Sequence, residues 1–343
     1  MVMDKKAATI FDVARTAGVS IATVSHVLNN SVNVADKTKV KVLEAIEKLS
    51  YSPNDAARSI RTGKTKSIGI IVPDIMNEYY SNTMQSFLKA AYSKEYTVLL
   101  TCCENNIRYE EKLIRMLLDR RVEAIGIMGG KNDEDLIREV MSKVPILLID
   151  RRIENSGLSC IQFDNFTAMR ELISVLHKAG YTEIGYMSES VEMVNISDRY
   201  HGFIQGMEES GLTVNDKYIY ISKELQLNKN MNGKKLMTKL LKEKGREKLP
   251  KVLLTSSDLI AAGVMDAIKE AGYTIPKDFG IIGFDNIMLS NYTYPALTTV
   301  QQDTEMMGKT SWDIIYQLIK RKAKIHHDIV LEQKLIFRDS CIL

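Results

Sequence analysis

Only four cysteines occur in 343 residues, Cys102, Cys103, Cys160 and Cys341, and none stands at a metal-ligand or redox-pair spacing. This argues against a disulfide framework or a thiolate metal centre, and predicts reduced structural thiols and no metal. Long apolar runs are missing as well. No 18 consecutive apolar residues occur, and the opening Met1-Val2-Met3-Asp4-Lys5-Lys6 is not of signal type. A membrane association and export are therefore not expected, and a cytoplasmic protein is. Histidine is sparse too: His26, His177, His201, His326 and His327 have no nucleophile and carboxylate in motif spacing, and no glycine-rich phosphate loop is present. Neither an enzyme nor a bound cofactor is expected.

Charge is plentiful, at 26% of residues, but nearly balanced at +3. Its distribution is uneven. Residues 1–66 hold eleven Lys or Arg against six Asp or Glu, so the positive surplus sits at this end and the rest of the chain is slightly acidic. A local basic surplus suits a phosphate backbone.

The same region carries the pattern of two short helices joined by a tight turn. Thr9 with Asp12 three residues on forms a capping pair, and Val13, Ala14 and Ala17 then share one face. Gly18 can end the helix in a left-handed conformation. Ser20 caps a second helix in which Val24, Val27 and Leu28 turn inward, leaving Ile21, Ala22, Ser25, His26 and Asn29 outward as candidate base readers. Val40, Val42, Leu43, Ile46 and Leu49 form the apolar stripe of a third helix, which Tyr51-Ser52-Pro53-Asn54 stops.

Beyond the polar Gly63-Lys64-Thr65-Lys66, strands and helices alternate, which argues for an α/β region of doubly wound parallel sheets. Apolar bursts at Ile68–Val72, Val98–Thr101, Ala124–Met128 and Ile146–Ile149 form one lobe. Bursts near Ile184–Met187, Tyr218–Ile221, Val252–Thr255 and Gly280–Phe284 form a second. Ligands of open α/β sheets bind outside the carboxyl ends of the strands, so two facing lobes enclose a cleft. Asp150, the pair Ser257-Asp258 and Asp285 follow directly on strands, and Arg199 starts a helix. Carboxylates accept paired hydroxyl donors and a guanidinium adds fixed charged donors, a set suited to a sugar, polyol or sugar acid.

The headpiece, the segment Ser52-Pro53-Asn54-Asp55-Ala56-Ala57-Arg58-Ser59-Ile60-Arg61-Thr62-Gly63 and the runs Arg199-Tyr200-His201-Gly202-Phe203 and Gly283-Phe284-Asp285-Asn286 together resemble the LacI/GalR family of bacterial transcriptional regulators over essentially the whole chain. The resemblance implies a helix-turn-helix headpiece over 1–53, a hinge helix and linker over 54–66, and a two-lobed, periplasmic-binding-protein-like core over 67–343. Its lobe 1 would comprise about 67–163 and 287–320, its lobe 2 about 164–286 and 321–343. It adds Thr9, Ser20, Thr23 and Tyr51 to the DNA-contacting residues, and from the hinge Asn54, Ala57, Arg58 and Ile60, the last at the place of a minor-groove leucine wedge. It also implies effector contacts from Tyr79, Tyr80 and Gln302, beside Asp150, Arg199, Ser257, Asp258 and Asp285. Many relatives have Pro where this chain has Glu78, Asn where it has Ser257 and Arg where it has His26. The expected function is a repressor working as a homodimer on double-stranded operator DNA and controlled by a small, sugar-like effector. The alternative is control by a phosphorylated partner protein.

Overall fold

Local capping and buried strands divide the chain into two compact units, Met1–Thr65 and Lys66–Leu343. The structure is a computed structural model that describes residues 8–29, 34–51, 63–130, 134–321 and 326–342. Among them no helix is long and apolar enough to cross a membrane.

In the first unit, helix α1 (Ile10–Ala17) opens on the expected pair: the Thr9 backbone N–H and hydroxyl both donate to Asp12 Oδ2, at 3.0 and 2.7 Å. Gly18 ends it at φ 65°, where only glycine is free of strain, and the Val19 N–H reaches back to the Ala14 carbonyl. Helix α2 (Ile21–Asn29) starts at Ser20, whose hydroxyl accepts from the Thr23 N–H at 3.1 Å. Helix α3 (Asp36–Lys48) closes a small core of Val13, Ala14, Val24, Val27, Val42 and Ala45. The expected α3 stripe is narrower than its apolar letters: Val40 and Leu43 are about half exposed. At 100° per residue Val42, Ala45, Ile46 and Leu49 share a face that residues 40 and 43 do not.

The second unit holds two six-stranded sheets. Strands β1 (Ser67–Val72), β2 (Thr97–Cys102), β3 (Ala124–Met128), β4 (Ile146–Ile149) and β5 (Ser159–Phe163) build most of the first, which is parallel throughout. Its inner strands are apolar without alternation because helices cover both faces. The helices are α4 (Glu78–Tyr92), α5 (Ile107–Asp119) and α6 (Glu134–Met141). The second lobe contains α7 (Asn165–Lys178), β6 (Ile184–Ser188), α8 (Val194–Glu209), β7 (Ile219–Ile221), α9 (Lys229–Lys244), β8 (Val252–Thr255), α10 (Asp258–Glu270), β9 (Gly280–Asp285), α11 (Leu289–Tyr292) and β10 (Thr298–Gln301).

Helix α12 (Thr304–Arg321) returns to lobe 1 and packs along α4. The close approach depends on Gly308, where a Cβ would collide with the Thr83 carbonyl oxygen. The single tryptophan, Trp312, anchors this seam with its ring 5.7 Å from Phe87 and 5.3 Å from Tyr96.

Two boundary assignments need correction. Residues 287–320 were expected in lobe 1, yet β10 within them pairs with β9 of lobe 2, Thr298 opposite Ile282. Residues 321–343 were expected in lobe 2, yet β11 (Asp328–Leu331) pairs with β5 of lobe 1, and only β12 (Lys334–Ile336) joins lobe 2, antiparallel to β10. The chain crosses between lobes after β5, after β10 and between β11 and β12. Strands of three or four residues carry too little periodicity to announce their sheet; distant ladder partners decide it.

Candidate functional site

In the headpiece, burying Val24 and Val27 turns the opposite face of α2 outward. Ile21 and Ala22 are exposed; Thr23, Ser25 and His26 are half-buried. Thr9 and Ser20 are occupied as caps, and the partly buried Tyr51 packs against the headpiece core. The side chain of Asn29, and the hinge positions Asn54, Ala57, Arg58 and Ile60, lie outside the described residues.

The second site lies between the lobes at the carboxyl ends of the strands. Asp150, just past β4, is buried and left-handed at φ 50°. Its Oδ2 accepts from the Asn195 amide of lobe 2 at 2.8 Å. Its Oδ1 and the Tyr79 hydroxyl are both buried, and a side-chain hydrogen bond from Tyr79 acts to lower the Asp150 carboxyl. The two groups are near neighbours, because the Asp150 charge adds to the burial that raises the Tyr79 phenol. The Asp150 carboxyl is itself raised by burial, against the pull of Arg199. Tyr79 and Tyr80 leave the first turn of α4 with ring centroids 5.2 Å apart. The Asn77 cap, accepting from the Tyr79 N–H at 3.1 Å, fixes where that turn begins.

From lobe 2, Arg199 of α8 reaches inward, buried. Its Nε donates to Asn165 Oδ1 at 2.8 Å and its Nη1 to the Ser256 carbonyl at 2.6 Å. Nη1 also stands 3.6 Å from Asp285 Oδ1, and the guanidinium lies over the Phe284 ring at 3.8 Å. Asp285, at φ 115°, accepts from Gln302 Nε2 at 2.6 Å. Burial pushes its carboxyl up to about 6, with Arg199 opposing the rise.

Glu189, one residue beyond β6, is fully buried. It is gripped by Lys229 at 2.5 Å and by the Ser256 hydroxyl. Burial would raise this carboxyl, but Lys229 and the hydrogen bonds outweigh it and hold the group below its ordinary value.

The two remaining expected contacts sit differently. Ser257 caps α10, its hydroxyl accepting from the Ile260 N–H at 3.5 Å. Asp258 is fully buried with both oxygens taken by protein donors, Thr299 Oγ1 at 2.6 Å and the Ile287 N–H at 2.9 Å. A Cβ at Gly283 would collide with this carboxylate, so the glycine makes room for it. Asp258 thus ties α10 to β10 and to the loop after β9.

Sequence reasoning missed Asn195, Asn165, Glu189 and Lys229. Asn195 is four residues before Arg199 on one helix face, and Glu189 is a strand-end carboxylate like Asp150; both signals were present. Lys229 gave none, since its role depends on where α9 begins. One lobe-to-lobe contact lies at the rim: the Met288 N–H donates to Glu78 Oε1 at 2.6 Å.

Comparison with known proteins agrees with this architecture. Residues 9–54 match the family of bacterial regulatory proteins, lacI family, and residues 173–341 the periplasmic binding protein-like domain. The chain is 33% identical over 340 residues to the HTH-type transcriptional regulator RegA of Clostridium saccharobutylicum, covering 98% of this chain and 100% of that one. It is 31% identical to the HTH-type transcriptional repressor PurR of Pasteurella multocida (strain Pm70), covering 97% and 98%. A crystal structure of the lac repressor bound to ONPG in the repressed state superposes with a TM-score of 0.85 at 25% identity, covering 98% of this chain and 100% of that chain. These relatives are regulators and not enzymes. With a capped helix-turn-helix in its N-terminal unit and a two-sheet core in the unit that follows in sequence, the chain is a DNA-binding transcriptional regulator and belongs to the lacI family of bacterial regulatory proteins.

Proposed function

We propose that the chain is a repressor that binds operator DNA as a homodimer and is controlled by a small polar effector held between its lobes. A single headpiece reads only a few base pairs, so a symmetric pair on a near-palindrome is the natural unit. The recognition surface is the outward face of α2, with Ile21 and Ala22 suited to thymine methyls and His26 to hydrogen bonding. The effector contacts are Tyr79, Tyr80, Asp150, Arg199, Asp285 and Gln302. Ser257 and Asp258 support them from behind, as a cap and a buried tie. In the hinge, Asn54, Ala57 and Arg58 contact DNA and Ile60 enters the minor groove.

The observation that carries this reading is the Asp150–Asn195 hydrogen bond, which spans the lobes at the group an effector would contact. Effector binding and lobe closure then draw on the same atoms, as coupling between two sites requires. That a structural relative was solved with ONPG bound supports a small-molecule ligand.

The test is selection of operator sequences by the full chain, followed by band shifts with candidate effectors. Ala22→Glu should abolish specific binding and leave effector binding intact, while Asp285→Ala should do the reverse. Loss of both functions in either variant, or a selected operator without two related half-sites, would refute the proposal.

A further inference from the structure

A second cavity, of about 360 Å³, lies outside the cleft on the flank of the crossover that follows β5. Its walls come from both lobes: Arg152, Gln162 and Val330 from lobe 1, Asp198 from α8, and Asp164 and Phe166 from the start of α7. None of Tyr79, Tyr80, Asp150, Arg199, Asp285 and Gln302 lines it. Asn165 stands between the two spaces, its Nδ2 donating to the Phe163 carbonyl at 3.2 Å and its Oδ1 turned to Arg199.

Sheet register builds the floor of this cavity. Ile161 and Phe163 belong to one core of lobe 1, so Gln162 between them points to the opposite face, where parallel pairing sets it beside Val330 of β11. The Gln162 residue is only 9% exposed, and its amide has no hydrogen-bond partner among the described residues. Two donors and an acceptor are thereby held toward the cavity alone.

Asp198 faces the same space, half-buried and with no hydrogen bond or ion pair to another described residue. Burial raises its carboxyl above the ordinary value, Arg152 opposes the rise and Asp164 adds to it. Asp164 gives one oxygen to the Thr167 N–H at 3.0 Å as the cap of α7. Arg152 stands 3.6 Å from Glu154, and a guanidinium with five N–H donors can keep its neighbours and still grip a carboxylate. Two carboxylates against one guanidinium leave the lining short of a cation, while the guanidinium offers a place for an anion. A small molecule that carries both charges one carbon apart is an α-amino acid.

We propose that this cavity binds a free α-amino acid, its ammonium on Asp198 and the Gln162 amide oxygen, its carboxylate on Arg152 and its side chain against Phe166 and Val330. Such a ligand touches both lobes beside the crossover, so it favours one lobe angle over others. The site is a second input to the regulator, separate from the cleft.

The experiment uses the full chain and the common α-amino acids singly, screened by thermal shift and ranked by calorimetry. At least one should raise the melting temperature, and its decarboxylated amine and its N-acetyl derivative should each bind at least about tenfold more weakly. A panel in which no amino acid binds, or a derivative that binds as tightly as its parent, would overturn the proposal.

Three variants locate the site. In Asp198→Asn and Gln162→Met the altered side chain holds no other protein group, so both should melt as the parent chain does while amino-acid affinity drops about tenfold. Asp285→Asn alters the cleft and should leave that affinity unchanged. Full affinity in either of the first two variants, or a loss confined to the third, would place the amino acid elsewhere and end the case for a second site.

Discussion

The two walls of the cleft differ in how far they are finished. Lobe 2 presents a closed network in which Arg199, Asp285, Gln302, Glu189, Lys229 and Ser256 hold one another. Lobe 1 presents Tyr79, Tyr80 and Asp150, more sparsely bonded: Asp150 takes a hydrogen bond from Tyr79 and one from the Asn195 amide. A network that holds its own side chains needs little reorganisation when a ligand arrives, whereas a sparsely bonded wall can adapt to one. Lobe 2 is the pre-organised platform, and under the proposed function lobe 1 is the more adaptable face. The same contrast separates two carboxylates of lobe 2. Asp258 and Asp285 are both buried and both raised by burial. Asp258, however, is satisfied by a hydroxyl and a backbone N–H behind the wall, while Asp285 faces a guanidinium in the cleft. The source of the donors, not the shift, separates the two.

Breaking the platform should cost most. Arg199→Met strands Asp285, the Asn165 amide oxygen and the Ser256 carbonyl together, and should lower stability by about 3 to 5 kcal/mol and remove the effector response. Urea unfolding reads the first and calorimetry the second; a stable variant with full affinity would end the idea of a platform. Lys229→Met leaves Glu189 buried without its cation, at a comparable cost of about 3 to 5 kcal/mol at neutral pH. The pH dependence carries the diagnosis. In the intact chain the Glu189 pKa is depressed on folding, so its contribution is present above the unfolded value and lost as pH falls through the folded one. Without Lys229, burial raises that pKa, and acidification should recover part of the lost stability. A deficit that does not shrink between pH 7 and 5 would contradict this.

Asp285 has the opposite sign. Its folded carboxyl is raised from an ordinary 3.8 to about 6, so the folded chain holds the extra proton. Its contribution is complete below the unfolded value and lost as pH rises through 6. Asp285→Asn should flatten the fall in stability between pH 4 and 6, and melting curves across that range decide the matter.

The smallest effect is expected at the rim. Glu78→Ala removes the acceptor for the Met288 N–H and should weaken closure by about 1 kcal/mol, a few-fold loss of effector affinity. An unchanged affinity would mean that the rim contact does not report on closure.

Much of this molecule was readable where the deciding atoms lie within a few residues of one another. The Thr9–Asp12 pair, the left-handed Gly18 and the Ser20 cap are local hydrogen-bonding and steric facts, so spacing alone predicted them. The central strands announced themselves because burial on both faces demands unbroken apolar runs. Membership of a lobe was not readable for β10 and β11, because four residues at a sheet edge take their place from partners more than a hundred residues away or from a neighbouring strand's ladder. Nor could the chain's letters separate Asp258 from Asp285, or reveal that Lys229 and Glu189 meet across 40 positions. Those distinctions depend on which donors surround a carboxylate once water has been removed, and that is set only when the lobes have packed.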